Sequence, residues 1–235
     1  MAHDPESWAK PVTVLEVDDI PGAVNANIRG RRLSGVTEGF GPLWQKTFRA
    51  RLSGVDAAPE HVISTWKQRY SELWPKGNEM FLPAGGIIPG GVGVINGRMP
   101  GAPTMATGVM VVYSDAQSFA FMTPQGHPFT GIITFSAASE EGATVAEVQE
   151  FVRASDPIWE LGMRTFLGQK QNDIWRVTLR NLAALYGVEP EVEERIVRVD
   201  ARLQWRNAKN VWYNAGVRST LYAMGTPLRR LRRSR

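Results

Sequence analysis

Cysteine is absent from all 235 residues. That excludes a disulfide scaffold, thiolate metal centres, iron–sulfur clusters and thiol nucleophiles. Histidine is nearly as scarce. His3, His61 and His127 lie far apart, so no histidine-rich metal site is expected, and no cofactor is implied. No apolar run approaches the roughly 20 residues of a membrane span. The first ten residues, Met1 to Lys10, are polar and lack a secretory apolar region, so the expected compartment is the cytoplasm. The phosphate-loop and dinucleotide fingerprints are missing too. The run Gly-Gly-Ile-Ile-Pro-Gly-Gly-Val-Gly at 85–93 fits neither, and its glycines suit tight turns or close backbone approach. No GxSxG elbow occurs. The acid pairs Asp18-Asp19, Glu140-Glu141 and Glu193-Glu194 sit in polar surroundings and read as ordinary surface charge.

What is present is a chain 43% hydrophobic and 21% charged, enough to bury a core without staples. The net charge of +4 conceals a split. Residues 201–235 hold nine bases (Arg202, Arg206, Lys209, Arg218, Arg229, Arg230, Arg232, Arg233 and Arg235) and no acid. Residues 1–200 therefore keep 18 of the 27 bases against all 23 acids. A basic terminal arm on a mildly acidic body suits an anionic partner, or pairing with the body itself.

Periodicity divides the chain into an N-terminal extension, 1–38, a main domain, 39–188, and a basic aromatic C-terminal segment, 189–235. Val12–Val17 has the composition of a short strand, and Arg29-Gly30-Arg31-Arg32 reads as an exposed loop. Gly41–Ser53, with Trp44, Thr47, Phe48 and Leu52, reads as a strand. Pro59 then opens an amphipathic helix through Val62, Ile63, Trp66, Tyr70 and Leu73, stopped by Pro75. Gly85–Gly101 holds seven glycines around Val92 and Val94-Ile95, hairpin or loop backbone rather than helix. Val109–Tyr113 and Phe119–Met122 flank a four-residue polar link, the pattern of an antiparallel hairpin. A turn at 123–128 leads to Ile132–Phe135, and Glu140-Glu141-Gly142 turns again. Thr144–Arg153 fits a helix through Val145, Val148 and Val152, or a final meander strand, which its context favours.

Asp156-Pro157 opens the strongest helix signal, with Asp156 as N-cap and Pro157 at the first position. Ile158, Leu161, Thr165 and Phe166 form one apolar stripe, continued by Trp175, Leu179, Leu182 and Tyr186. Gly187 suits the C-terminal cap, while Gly168 is a point of bending or breakage. Val197 to Trp205 alternate like a strand. A helix over about 206–224 places Trp205, Ala208, Trp212, Ala215, Ser219 and Tyr222 on one side and Asn207, Asn210 and Asn214 on the other, ending at Gly225 and Pro227.

The order strand, helix, antiparallel strands, long helix resembles the START-like helix-grip (SRPBCC) superfamily. The resemblance covers roughly residues 40–187. It is carried by Trp44–Leu52, Pro59–Trp74, the meander Val109–Phe135 and Asp156–Gly187 as the gripping helix. The stretch Phe119-Ala-Phe-Met-Thr-Pro-Gln-Gly-His-Pro-Phe-Thr-Gly also looks like a turn of uncharacterised bacterial members. The implied fold is α+β: a curved antiparallel sheet wrapped around a long C-terminal helix, here with a basic C-terminal extension. The superfamily includes lipid-transfer domains, polyketide cyclases and hormone receptors, so the resemblance implies an apolar cavity between sheet and helix. Phe119, Phe121, Ile133, Phe135 and Trp159 are the candidate residues for binding a hydrophobic small molecule or lipid there, or else they fill the space as close-packed core.

For a cyclase- or dehydratase-like reaction in that cavity, His127 and Tyr113 are the candidate groups, His127 as an acid/base near neutral pH or merely a turn residue. Arg206, Lys209, Trp212, Arg218, Arg229, Arg230, Arg232 and Arg233 are the candidate contacts to an anionic membrane, where aromatic rings and cations are both favoured. The same mix suits single-stranded nucleic acid less well, and a helix docked by its Trp/Ala stripe is the third reading.

Overall fold

Residues spaced two apart along each strand share a face, and that parity builds the molecule. The computed structural model describes residues 4–17, 20, 22–23, 27–83, 85–98 and 103–233, with only the backbone for Phe166 and 225–233. His3, Asp18, Asp19 and Arg235, along with the side chains of Arg229, Arg230, Arg232 and Arg233, lie outside the described residues. Eight strands form one antiparallel sheet: β1 (Leu43–Leu52), β2 (Asn78–Phe81), β3 (Val92–Gly97), β4 (Met105–Ser114), β5 (Ser118–Met122), β6 (Phe129–Glu140), β7 (Ala143–Ala154) and β8 (Val192–Asp200). Their order across the sheet is β2-β3-β4-β5-β6-β7-β1-β8. Helices α1 (Pro59–Arg69), α2 (Pro157–Met163), α3 (Phe166–Ala184) and α4 (Ala215–Arg233) complete the chain.

The sheet curves around α1 and α3. Phe48, Ala50 and Leu52 of β1, Phe119 of β5, Phe135 of β6 and Val148 of β7 meet Val62, Ile63 and Trp66 of α1 and Trp175, Leu179 and Leu182 of α3. Each large side chain buried there contributes about 1.5–3 kcal/mol. Thr144–Arg153 is strand β7, entered through a turn in which Glu141 and Gly142 take left-handed φ values of 46° and 79°.

The long helix is divided. Asp156 caps it as expected, Oδ1 accepting the Ile158 and Trp159 amides at 2.9 and 3.0 Å. The helix nevertheless stops at Met163 and restarts at Phe166, ahead of Gly168. A Cβ on Gly168 would overlap the Met163 carbonyl, so this glycine permits the tight junction behind the break. The stripe on α2 is also rotated: Ile158 and Leu161 are exposed, and Trp159 and Glu160 face inward.

The N-terminal extension is not a strand at Val12–Val17. Its backbone bonds instead to the arginine loop, Leu15 N to Arg31 O at 2.7 Å and Gly30 N to Leu15 O at 2.9 Å. Leu15, Val17 and Ile28 bury against Val94 and Met110 on the convex face of the sheet. Glycine at 108 is required there, because a Cβ would overlap the Gly93 carbonyl oxygen of the neighbouring strand and also meet Ile28 Cδ1 at 2.8 Å.

Segment 189–235 joins the same sheet through β8, which pairs along β1 from Val192 to Asp200. The expected single helix over 206–224 is two elements, a 3-10 stretch Trp205–Tyr213 and then α4, which passes Gly225 and Pro227 rather than ending there. Asn214 separates them: its Oδ1 accepts the Val217 amide at 3.0 Å and so starts α4. β5 pairs with β4 only from Met110 onward, and α4 serves the unpaired half. Ser219 Oγ accepts the Ala106 amide at 3.0 Å, and Asn27 Nδ2 donates to Ala106 O and Ser219 Oγ, each at 3.0 Å.

Candidate functional site

The concave face is not filled from end to end. A cavity of about 150 Å³ lies between the sheet and the α2–α3 junction. Met80, Ile95, Val109, Phe121 and Ile133 form the sheet wall, and Trp159, Met163, Ile174 and Trp175 the helix wall. Exposed Arg98 and Lys170 mark the rim. Apolar cavities of about this volume stay dry and admit benzene, while most drug-sized sites begin near 300 Å³.

Three of the expected ligand residues, Phe121, Ile133 and Trp159, line the cavity. Phe119 and Phe135 share the concave face but not the cavity. They are cross-strand partners, stacked with centroids 4.7 Å apart beneath Trp66. α1 covers that end of the sheet, so the pair is packed core.

His127 also lines the cavity. Its Nδ1 lies 3.1 Å from both the amide nitrogen and the carbonyl oxygen of Phe129, a contact that either ring tautomer can use. Burial pushes its pKa down to about 4, so the ring is neutral at pH 7 and holds no acid proton to give there. The expectation of a group titrating near neutrality is corrected by desolvation. Tyr113 lies elsewhere. The pairing of β4 with β5 slips between Val111 and Tyr113, and such a bulge turns a side chain to the other face. The Tyr113 ring therefore sits against Trp8, centroids 4.6 Å apart. Its hydroxyl donates to Asp115 at 2.6 Å, and this bond is the leading cause of a pKa pushed up to about 12.

Sequence reasoning missed the polar wall of the cavity, Glu150 and Gln171, and the lysine bound behind it. Lys46 on β1 and Glu150 on β7 are register partners, both nearly inaccessible. Gln171 of α3 bridges them, its Nε2 donating to the Glu150 carboxylate and its Oε1 accepting from Lys46 Nζ. Lys46 also donates to Asn172 Oδ1 at 2.8 Å. Burial lowers the Lys46 pKa, with Glu150 acting in the opposite sense. The missed signal was parity: Lys46 shares its strand face with Phe48 and Ala50, and Glu150 with Val148 and Val152. Four further lining residues, Tyr70, Thr107, Trp159 and Trp175, carry a buried hydroxyl or indole N–H with no hydrogen-bond partner among the described residues. Burial also raises the Tyr70 phenol well above its ordinary pKa.

The C-terminal segment docks by its asparagine side, opposite the Trp/Ala stripe of the docked-helix reading. Asn207 Nδ2 donates to Gly39 O at 2.8 Å, Asn210 Nδ2 to Glu38 O at 2.7 Å and Ser155 O at 2.9 Å, and Asn214 Nδ2 to Asp156 Oδ2 at 2.9 Å. A 3-10 stretch repeats every three residues rather than every 3.6, so Asn207 and Asn210 align on the protein while Trp205 and Trp212 point to solvent. Trp212 is 77% exposed. Arg206, Lys209 and Arg218 are exposed as well.

Element order and sheet topology are those of a helix-grip fold, an antiparallel sheet curved around a long helix. Several solved structures are similar in fold. They include Ms6760 from Mycobacterium smegmatis (14% identity, TM-score 0.44, 60% of this chain and 89% of that one). The di-domain ARO/CYC StfQ from the steffimycin biosynthetic pathway is another (11%, 0.48, 62% and 51%). A third is major latex-like protein 151 from Panax ginseng (13%, 0.41, 62% and 99%). No family model and no curated protein matches the sequence.

Proposed function

We propose that the protein binds a hydrophobic small molecule between the sheet and the α2–α3 junction, and that its C-terminal segment holds it at an anionic membrane surface. The observation that carries the binding reading is the unfilled apolar cavity, about 150 Å³ behind Trp159 and Trp175. Its volume favours a molecule of about one ring over an extended acyl chain. A cyclase-like reaction draws no support from His127, neutral at pH 7, or from Tyr113 on the far face.

The membrane reading is supported by the acid-free charge of residues 201–235 and by the exposure of Trp205 and Trp212 among them. Native mass spectrometry of the purified protein tests the binding reading. A small apolar adduct that dissociates on denaturation supports it. An adduct-free spectrum, combined with no change in Tm across ring-sized apolar compounds, contradicts it.

A further inference from the structure

The sequence carries two basic stretches, the Arg29–Arg32 loop and the C-terminal segment, separated by most of the chain. The fold joins them through the Pro124–His127 turn. On one side Leu33 bridges to Pro124, and the Gln125 amide donates to Arg32 O at 2.9 Å. On the other side the Ala215 amide donates to Gly126 O at 2.9 Å. The Arg31 guanidinium lies over the Tyr213 ring, 5.2 Å from its centroid. Beside it, Arg32 and Lys209 line a surface groove of about 320 Å³ with Ser34, Gln125 and Trp212. Glu38, the acid among the groove residues, accepts the Gly35 amide at 2.9 Å. Burial lowers the Arg31 pKa, and the charge of nearby Arg218 lowers it further. Among the described residues no ion pair joins Arg31, Arg32, Lys209 or Arg218 to a carboxylate. Four cations with one carboxylate, Glu38, among the groove residues repel on balance, and an anion relieves that repulsion.

The flank of this cluster is apolar. α4 docks by Ala215 and Ser219, while Val217, Leu221 and Met224 lie on the opposite side of the helix and are exposed. An aliphatic stripe facing outward beside cations is the arrangement of a helix lying in a membrane interface. A nucleic acid has no use for that stripe.

We propose that Arg31, Arg32, Lys209 and Arg218 form one composite surface that seats the phosphate headgroups of an anionic bilayer, with Trp212 and the Val217–Leu221–Met224 side of α4 in the interfacial layer. This rests on the membrane reading above and extends it, because half of the phosphate contacts come from the N-terminal extension rather than the tail.

Flotation of the full chain with phosphatidylcholine vesicles, with and without phosphatidylglycerol, tests it. The wild type floats with the anionic vesicles. R31Q/R32Q, two changes outside the tail, lowers its partitioning roughly 30-fold, at about fivefold per basic residue on an anionic surface. R32Q alone, at an exposed side chain held only through its backbone, lowers it about fivefold and keeps the test valid should Arg31 be needed for folding. L221Q/M224Q lowers it as well. If the wild type floats and both arginine variants float equally well, the composite surface is overturned and the tail-only reading stands. A wild type that ignores anionic vesicles overturns both. If R31Q/R32Q weakens single-stranded RNA binding while L221Q/M224Q leaves flotation intact, the lipid assignment is overturned.

Discussion

Lys46 and Glu150 stand directly opposite each other on β1 and β7, Nζ 3.9 Å from Oε2, on the concave face of the sheet. Gln171 ties the pair to α3, so the network fixes how the helix sits over the cavity. Lys46→Met leaves the Glu150 carboxylate without its cation, and breaking a buried pair in this way costs about 3–5 kcal/mol. Lys46→Met/Glu150→Leu recovers most of that, because no uncompensated charge remains. Urea unfolding of the two single variants and the double variant reads the coupling; simple additivity would show that the pair is not energetically linked.

His127 makes stability depend on acid. Its folded-state pKa of about 4 lies below the ordinary 6.5. Between those values the unfolded chain binds a proton that the folded chain does not, so stability falls as pH drops through this window. The full difference is about 3 kcal/mol, present above pH 6.5 and gone below pH 4. His127→Gln removes this segment of the stability profile, which unfolding at a series of pH values measures. A profile unchanged by the substitution would contradict the buried, neutral ring.

The strands, α1 and the Asp156 cap were legible because each rests on local chemistry: alternation, a proline at the first helical turn, an acid that accepts amides. What failed to show has physical causes as definite. Lys46 and Glu150 carry no signal of their own because residues of their types are ordinarily exposed, and only the parity of neighbouring Phe48 and Val148 places them inside. Tyr113 as a cavity group fails because a bulge leaves no mark in composition. The docked Trp/Ala stripe, one of the readings of this segment, fails because the side chains that meet the carbonyls of Glu38, Gly39 and Ser155 are the asparagines of the opposite face, a choice made by tertiary packing. Phe119 and Phe135 were rightly placed inside, but which end of the sheet α1 covers depends on tertiary packing.

The asparagine face predicts a separation of stability from surface binding. Asn210→Ala removes two bonds and leaves the Glu38 and Ser155 carbonyls without that partner, a loss of about 1–2 kcal/mol. Amide hydrogen exchange across 205–215 should rise in that variant. Trp212→Ala, at a solvent-facing ring, leaves exchange and Tm unchanged while lowering flotation on anionic vesicles. Equal effects of both substitutions on stability would place Trp212 in the docked face after all.

Gly126 is the joint on which the C-terminal segment hangs. It takes φ of +93°, and a Cβ there would overlap the Tyr213 carbonyl. Gly126→Ala therefore costs both backbone strain, about 1–3 kcal/mol, and the seating of Tyr213. Limited proteolysis should cut between 205 and 215 in this variant and spare the wild type. Equal resistance would show that the turn does not hold the segment.

The cavity itself is open to direct measurement, because a ring-sized apolar solute needs no knowledge of the natural ligand. Thermal unfolding with saturating benzene should raise the Tm of the wild type, as a ligand that binds only the folded state must. Ile133→Trp, which fills the space from the sheet wall, should fold and show no such rise. An unchanged wild-type Tm, or a rise that survives in Ile133→Trp, would contradict a binding chamber between the sheet and the α2–α3 junction.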